Sequence, residues 1–346
     1  MNKDNYLVTG ASGLVGFPLV NKLLDTECFV VGIDPIQREN QKNYEHITLI
    51  NHDVEEIIKV LKKYSITKVI HVGAVSGPML YNDKPNFIIE NNVTFTIRLI
   101  EACRLYSKIN RFIFCSSISA YGNLGESNTT EDYRFHPENL YGATKASCDL
   151  LLKTYYQNYN LDIISLRIST VYGYRRTTSC FINDIVKSAL NHSKLNLPFK
   201  KSLCWPYVYV EDVVSCIEQC LLHTKGHSYS YNVSGPDFPS YGQILDEISL
   251  YVKSPQVTFA DQNTFGERKL FSIKKIKEEI DKIVWAATDP KMDGYTTWGA
   301  KQDLYKVLWY AEDKLRECST YEGEDKFVKK RKQRELIRKI KESHDT

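Results

Sequence analysis

Short apolar runs alternate with longer stretches whose apolar residues recur every three to four positions, from residue 5 to about residue 233. Tyr6-Leu7-Val8, Phe29–Ile33, Ile47–Ile50, Val69–Val72, Arg111–Cys115 and Asp162–Ile168 read as strands. The run ending at Leu24 and the segments Val54–Tyr64, Phe87–Leu105 and Tyr141–Tyr159 carry helical spacing. Strand–helix alternation of this kind predicts an α/β fold with a doubly wound parallel sheet. Past Gly173 the pattern loosens. Phe181–Leu190, Val213–Leu222 and Tyr241–Val252 read as helices, Tyr207–Val210 and Tyr229–Val233 as short strands. We therefore expect a first domain over residues 1–175, with elements returning to it from about 205–235, and a smaller α/β substrate-binding lobe over 176–300. Residues 301–346 read as a helical, basic C-terminal extension. Its Lys- and Arg-rich stretch from Asp325 to Thr346 spaces Leu336, Ile337 and Ile340 as a thin apolar stripe, which reads as a solvated helix. Trp285 to Trp298 match no pattern.

Composition narrows the class. The chain has 346 residues, 42% hydrophobic and 25% charged, ordinary for a globular protein. A net charge of +3 is too small to imply a nucleic-acid partner, and none is expected. No apolar run reaches membrane-spanning length, and Met-Asn-Lys-Asp-Asn has no signal-peptide core, so a cytoplasmic protein with no membrane partner is expected. The nine Cys form no Cys-x-x-Cys pair and read as reduced thiols, with no metal site.

Two clusters carry candidate chemistry. Gly10, Gly13 and Gly16 follow the first strand and open the first helix. Glycines so placed permit a tight turn, close approach of backbone to a pyrophosphate, and close helix–strand packing, while the helix start offers free N–H groups. The second strand ends at Asp34, at the offset of an acid that bonds adenosine ribose hydroxyls and repels a 2′-phosphate, which favours NAD over NADP. Arg38, four residues on, is the opposing charge. The second cluster is Tyr141 and Lys145, spaced i and i+4 at the head of a helix. An ammonium beside a phenol favours the phenolate and fits it for proton transfer near neutral pH.

Together, Gly10-x-x-Gly13-x-x-Gly16 and Tyr141-x-x-x-Lys145 resemble the short-chain dehydrogenase/reductase superfamily. The later motifs resemble its extended branch, the NAD-dependent sugar epimerases and dehydratases, over roughly residues 5–250. The resemblance implies a Rossmann-type sheet and a bound NAD. It implies a cofactor set of Gly10, Gly13, Leu14, Val15, Gly16, Asp34, Asp53, Val54, Gly73, Ala74, Val75, Asn92, Ser116, Tyr141, Lys145 and Ile168. Asp53-Val54 resembles the adenine-binding stretch, His71-Val-Gly73-Ala74 the turn beside the cofactor, and Asn92 a cofactor-facing helix residue. Ser117, in Ser-Ser-Ile-Ser-Ala-Tyr, matches the catalytic Ser/Thr position. Ser76, Ser117, Ser119, Thr170, Arg175 and Trp205 are the implied substrate contacts. The helices Phe87–Leu105 and Tyr141–Tyr159 are the family's dimer helices, implying a homodimer.

The implied chemistry is hydride transfer, with Tyr141 taking the proton of a substrate hydroxyl, Lys145 supporting it and binding the nicotinamide ribose, and Ser117 donating to the same oxygen. Family dehydratases carry an acidic pair directly after Ser117. Here those residues are Ile118 and Ser119, which argues against elimination of water. Thr170 stands where the family has Asn, and Lys200-Lys201-Ser-Leu-Cys204-Trp205-Pro206 lacks the family's diphosphate-binding Arg. Lys200, Lys201, Arg175 or Arg176 could supply the charge. The leading expectation is an NAD-dependent nucleotide-sugar epimerase acting at C4 through a transient keto sugar. The alternatives are an NAD-dependent dehydrogenase or ketoreductase on a sugar or sugar acid, and a non-catalytic nucleotide-sensing scaffold.

Overall fold

The computed structural model describes residues 4–26, 28–77, 80–123, 129–173, 175–191, 193–223, 227–235, 238–249, 256–262 and 271–280. The expected tail helix, the segment Trp285 to Trp298 and the far end of the 176–300 lobe lie outside the described residues. The chain runs β1 (Asn5–Thr9), α1 (Gly16–Asp25), β2 (Phe29–Ile33), β3 (Tyr44–Ile47), α2 (Val54–Lys63), β4 (Lys68–His71) and α3 (Pro85–Ile89). A π-turn, Glu90–Thr94, leads into α4 (Phe95–Tyr106), β5 (Arg111–Ser117), a tight 3-10 turn (Ile118–Ala120), α5 (Leu140–Asn158), β6 (Ile163–Ile168) and β7 (Thr170–Tyr172). Then come α6 (Phe181–Leu190), β8 (Lys194–Leu197), β9 (Tyr207–Tyr209), α7 (Val210–Leu222), β10 (Ser230–Val233), α8 (Tyr241–Ser249), β11 (Gln256–Phe259) and α9 (Lys274–Glu279).

Among the described residues, one parallel sheet has the order β10-β6-β5-β4-β1-β2-β3. The chain leaves β1 toward β2 and β3, then returns to build β4, β5 and β6 on the other side. That reversal opens a crevice at the carboxyl ends of β1 and β4, where such sheets bind ligands. The strands are rich in apolar residues because both faces are covered. On one face Leu19, Val20 and Leu23 of α1 pack with Val213, Cys216, Ile217 and Cys220 of α7. On the other, Ile57 and Leu61 of α2, Leu99 and Cys103 of α4 and Cys148 and Leu152 of α5 pack together. Each buried Leu or Ile contributes about 1.5–3 kcal/mol. A third cluster, with Phe181 and Tyr241 ring centroids 4.1 Å apart, belongs to the lobe of α6, α8, β8 and β11. β10 returns to pair with β6, and α7 joins the main core. The short β7 pairs with β9 outside the main sheet.

Three elements differ from the periodicity. The strand expected at Ile47–Ile50 lies at Tyr44–Ile47, because the Glu56 carboxylate accepts from the N–H groups of Ile50, Asn51 and His52 and folds them into a turn before α2. The single helix expected at Phe87–Leu105 is interrupted by the π-turn, which aims Asn92 inward. β7, β8 and β11 are three or four residues each, too short to register as periodic runs. Phe87, Ile89 and Leu105 along α3 and α4, and Leu150, Leu151 and Tyr159 along and just beyond α5, are exposed apolar positions. No described helix is long and apolar enough to cross a membrane. All eight described cysteines are free thiols.

Candidate active site

The crevice begins with the glycine turn. Gly10 has φ +68°, and a Cβ there would lie 2.7 Å from the Gly73 backbone. A Cβ on Gly16 would lie 2.0 Å from the Gly10 carbonyl oxygen. Any side chain at either position would force α1 or the loop after β4 off β1. α1 has no side-chain cap and no acid in its first turn. No described group accepts from the N–H of Leu14 or Val15. A helix start left with open donors and no competing carboxylate suits a phosphate, so the residues present fit a dinucleotide. Asp34 ends β2, buried, with Oδ2 accepting from Ser12 N at 3.1 Å and Oδ1 from Ile36 N at 2.8 Å. Those two bonds hold the carboxylate beside the turn.

The second half sits at the ends of β5 and β6. Ser117 Oγ accepts from Ser119 N at 3.1 Å, which leaves the Ser117 hydroxyl hydrogen free to donate. The first turn of α5 presses on this loop: a Cβ on Gly142 would lie 2.4 Å from the Ser119 carbonyl oxygen. Asn139 caps the helix by accepting from Gly142 N at 2.8 Å. Gly142 therefore lets the start of α5 sit against the Ser117 turn, and Lys145 follows Tyr141 one turn on. Lys145 is buried, and its Nζ donates to the Cys115 carbonyl at 2.7 Å and lies 4.9 Å from the Phe114 ring centroid. Two N–H groups of the ammonium remain to donate. Tyr141 is partly exposed. Ile168 is buried at the end of β6, while Gly73, Ala74 and Val75 follow β4, with Ser76 exposed beyond them.

The structure gives several of the implied site residues partners within the protein. Asn92 is buried, and its amide exchanges two bonds with the Val75 backbone, at 2.7 and 3.1 Å, and donates to Thr144 Oγ1 at 3.1 Å. It brackets the loop after β4. Ser116 Oγ is likewise turned inward, donating to Asp149 at 2.9 Å. Asp53 caps α2, accepting from Glu56 N at 2.8 Å, with Val54 the first residue of that helix. Arg175, expected against substrate, places its guanidinium 3.8 Å from the Phe17 ring centroid on α1. Arg176 donates to the carbonyls of Val171, Thr178 and Ser179, and Lys201 pairs with Asp246 at 3.5 Å. Thr170 and Trp205 meet: the indole Nε1–H donates to Thr170 Oγ1 at 2.8 Å. Ser119 lies buried in the turn after Ser117. Sequence reasoning passed over Gly142 and Asn139, although Asn three residues before a helical Gly is a cap signal. It also passed over Ser169, whose hydroxyl is buried without a partner between Ile168 and Thr170.

His71 closes the back of the crevice. Thr96 donates to the Asn92 carbonyl at 2.6 Å, so it must accept from His71 Nε2–H at 2.7 Å, leaving Nδ1 to accept from Thr9 at 2.6 Å. That arrangement holds the neutral imidazole. Burial, with Lys145 nearby, pulls its pKa down to about 3 from an ordinary value near 6.5. The folded state therefore refuses a proton that the unfolded chain accepts. Stability is complete above about pH 6.5 and falls toward pH 3, by up to about 1.4 kcal/mol per pH unit from this group. Urea unfolding of the wild type and of His71→Asn between pH 7 and 4 should differ in slope by about one proton. Equal slopes would remove His71 as the cause.

A sequence model of the NAD dependent epimerase/dehydratase family matches residues 6–234. The chain belongs to that family. The match covers the whole parallel sheet and both halves of the crevice. An uncharacterized protein of Methanocaldococcus jannaschii is 31% identical over 235 residues, 63% of this chain and 72% of that protein. The dTDP-glucose 4,6-dehydratase of Salmonella typhimurium is 26% identical over 315 residues, 79% of this chain and 86% of the enzyme. Among solved structures, the UDP-glucuronic acid 4-epimerase of Bacillus cereus with UDP-glucuronic acid and NAD is 24% identical, with a TM-score of 0.74 over 89% of this chain and 99% of that one. The UDP-N-acetylglucosamine 4-epimerase of Methanobrevibacter ruminantium is 22% identical, with a TM-score of 0.75 over 91% of this chain and 100% of that one. These structures share the fold of this epimerase/dehydratase family member.

Proposed function

We propose that this protein is an NAD-dependent nucleotide-sugar 4-epimerase. The observation that supports the reading is the close seating of α5, the helix that carries Tyr141 and Lys145, on the Ser117 turn, with no carboxylate in that turn. Bound NAD supplies a hydride acceptor that also returns the hydride. Gly13, Leu14, Val15 and Gly16 would hold its diphosphate, Asp34 its adenosine ribose, and Lys145 its nicotinamide ribose. Tyr141 removes the proton of the sugar hydroxyl being oxidised and gives one back when the carbonyl is reduced. Ser117 donates to the same oxygen and stabilises its charge as it develops. Ile118 and Ser119 hold no acid or base to expel water, so the keto sugar persists until it is reduced. Family membership and the similarity to UDP-sugar 4-epimerases support the same choice.

A second reading, a dehydrogenase or ketoreductase on a sugar or sugar acid, is favoured by one specific feature. Thr170 and Trp205 bond to each other, and Arg175, Arg176 and Lys201 have partners other than a substrate diphosphate. An epimerase must turn its keto intermediate over, and that needs an anchor for the rest of the substrate. Incubating the protein with UDP-glucose, UDP-glucuronic acid or UDP-N-acetylglucosamine and NAD decides between them. The 4-epimer with no net absorbance at 340 nm supports the epimerase. Stoichiometric NADH without epimer overturns it in favour of the dehydrogenase. The exposed apolar positions on α3, α4 and α5 are assigned to a second copy of the chain, and light scattering on the same sample giving the mass of one chain would overturn that.

A further inference from the structure

Two arginines from opposite sides of the crevice converge on one ring. Phe17 lies in the first turn of α1, its N–H bonded to the Gly13 carbonyl at 3.0 Å, so its ring stands within one turn of the phosphate-binding helix start. Arg38, from the loop after β2, sets its guanidinium 4.2 Å from the Phe17 centroid and donates to Phe17 O and Asn21 Oδ1. Arg175, from the loop after β7, sets its own 3.8 Å from the same centroid. Among the described residues no carboxylate pairs with either. The Arg175 Nε–H is buried without a partner. Two cations held against one ring repel each other, and a buried guanidinium N–H without an acceptor is unfavourable. An anion between them would relieve both.

The loop is built to present Arg175. Arg176 ties the segment together through the carbonyls of Val171, Thr178 and Ser179. Arg175 itself sits at φ +71°, the left-handed region that side-chain-bearing residues rarely enter. That backbone turns its side chain away from its neighbour's and across to α1. Strain of this kind persists where the surroundings hold it in place, and it recurs at ligand clamps.

We propose that Arg175, with Arg38 flanking it, binds the diphosphate of the dinucleotide cofactor and so closes the loop after β7 over the glycine turn. The inference rests on the NAD-binding reading. It gives a physical reason for a cofactor that stays bound through a full catalytic cycle: release requires parting the loop from α1. A guanidinium fork suits phosphate oxygens, whereas a Lys in its place would offer charge without the paired geometry.

The test is equilibrium binding of NAD, ADP-ribose and adenosine to the full-length wild type, Arg175→Ala and Arg175→Lys, by calorimetry at two salt concentrations. Arg175→Ala should weaken NAD and ADP-ribose about 10- to 100-fold, leave adenosine unchanged, and reduce the salt dependence of NAD binding. Arg175→Lys should fall between and keep the salt dependence. Unchanged NAD affinity in Arg175→Ala overturns the proposal. So does an equal loss for adenosine, which would mark a structural role for the loop. A wild type that binds none of the three fails the cofactor reading itself, a result distinct from either.

Discussion

Tyr141→Phe is expected to fold, bind NAD normally, and lose about 10²–10⁴-fold in kcat. The substitution deletes one oxygen and leaves the ring. Tyr141 is partly exposed, and Thr144 donates to its backbone carbonyl at 2.7 Å, a bond the substitution keeps. No described core cluster contains its ring. Lys145 stays held by the Cys115 carbonyl, and Ser117 by Ser119 N. What is lost is the group that takes the proton from the sugar hydroxyl, and neither neighbour can replace it. Ser117 is a poor base, and the Lys145 ammonium has no lone pair. The measurement is kcat on whichever substrate turns over, with melting temperature and NAD affinity as controls. Full activity in Tyr141→Phe would refute the proton transfer, and a matching loss of NAD affinity would move its role from chemistry to binding.

Asp149→Ala is expected to destabilise the fold by about 3–5 kcal/mol, a large share of a typical domain's stability. Asp149 is buried on α5, one turn beyond Lys145, and it accepts from Ser116 Oγ at 2.9 Å, Ser165 Oγ at 3.1 Å and Arg167 Nε at 3.0 Å. Arg167 is buried on β6. Burial works against its charge, and the Asp149 carboxylate together with the Tyr121 hydroxyl outweighs that and holds its pKa above the ordinary value. Removing the carboxylate leaves a buried cation whose other acceptors are Tyr121 Oη and the Glu131 carbonyl, both neutral. Two serines lose their acceptor as well. The pair joins α5 to β5 and β6, so its loss also loosens the seat of Tyr141 and Lys145. Urea unfolding should show the shift in midpoint. The double variant Asp149→Leu with Arg167→Met should recover most of it, because a buried pair replaced as a whole leaves no orphaned charge. A single variant within about 0.5 kcal/mol of wild type would show that water reaches the site and solvates the arginine.

The glycine turn, Asp34 and the Tyr141–Lys145 spacing could be read directly because each depends on local geometry. A strand followed by Gly10-x-x-Gly13-x-x-Gly16 has one economical backbone path, and i,i+4 residues share a face of any helix. Apolar periodicity located most of the sheet for the same reason. At Ile47–Ile50 it failed because a nearby side chain intervened. Glu56 captured the N–H groups of Ile50, Asn51 and His52, and ended a strand that hydrophobicity alone would extend. Asn92 looked like a cofactor contact by position, yet the π-turn carries it into Val75. The two adjacent arginines, Arg175 and Arg176, are indistinguishable as letters. Their opposite assignments follow from a left-handed backbone at Arg175 that no local pattern announces.

The sequence by itself determined the alternating α/β architecture, the dinucleotide crevice and the chemistry available at its end, since these rest on periodicity, glycine and residue type. Only the tertiary structure decided which polar side chains face that crevice. Asn92 bonds to Val75 and Ser116 to Asp149, Thr170 and Trp205 bond to each other, and Arg175 reaches across to α1. A polar group's direction depends on which partners the fold brings within hydrogen-bonding distance, and those partners lie up to 153 residues away, as Leu221 does from Lys68.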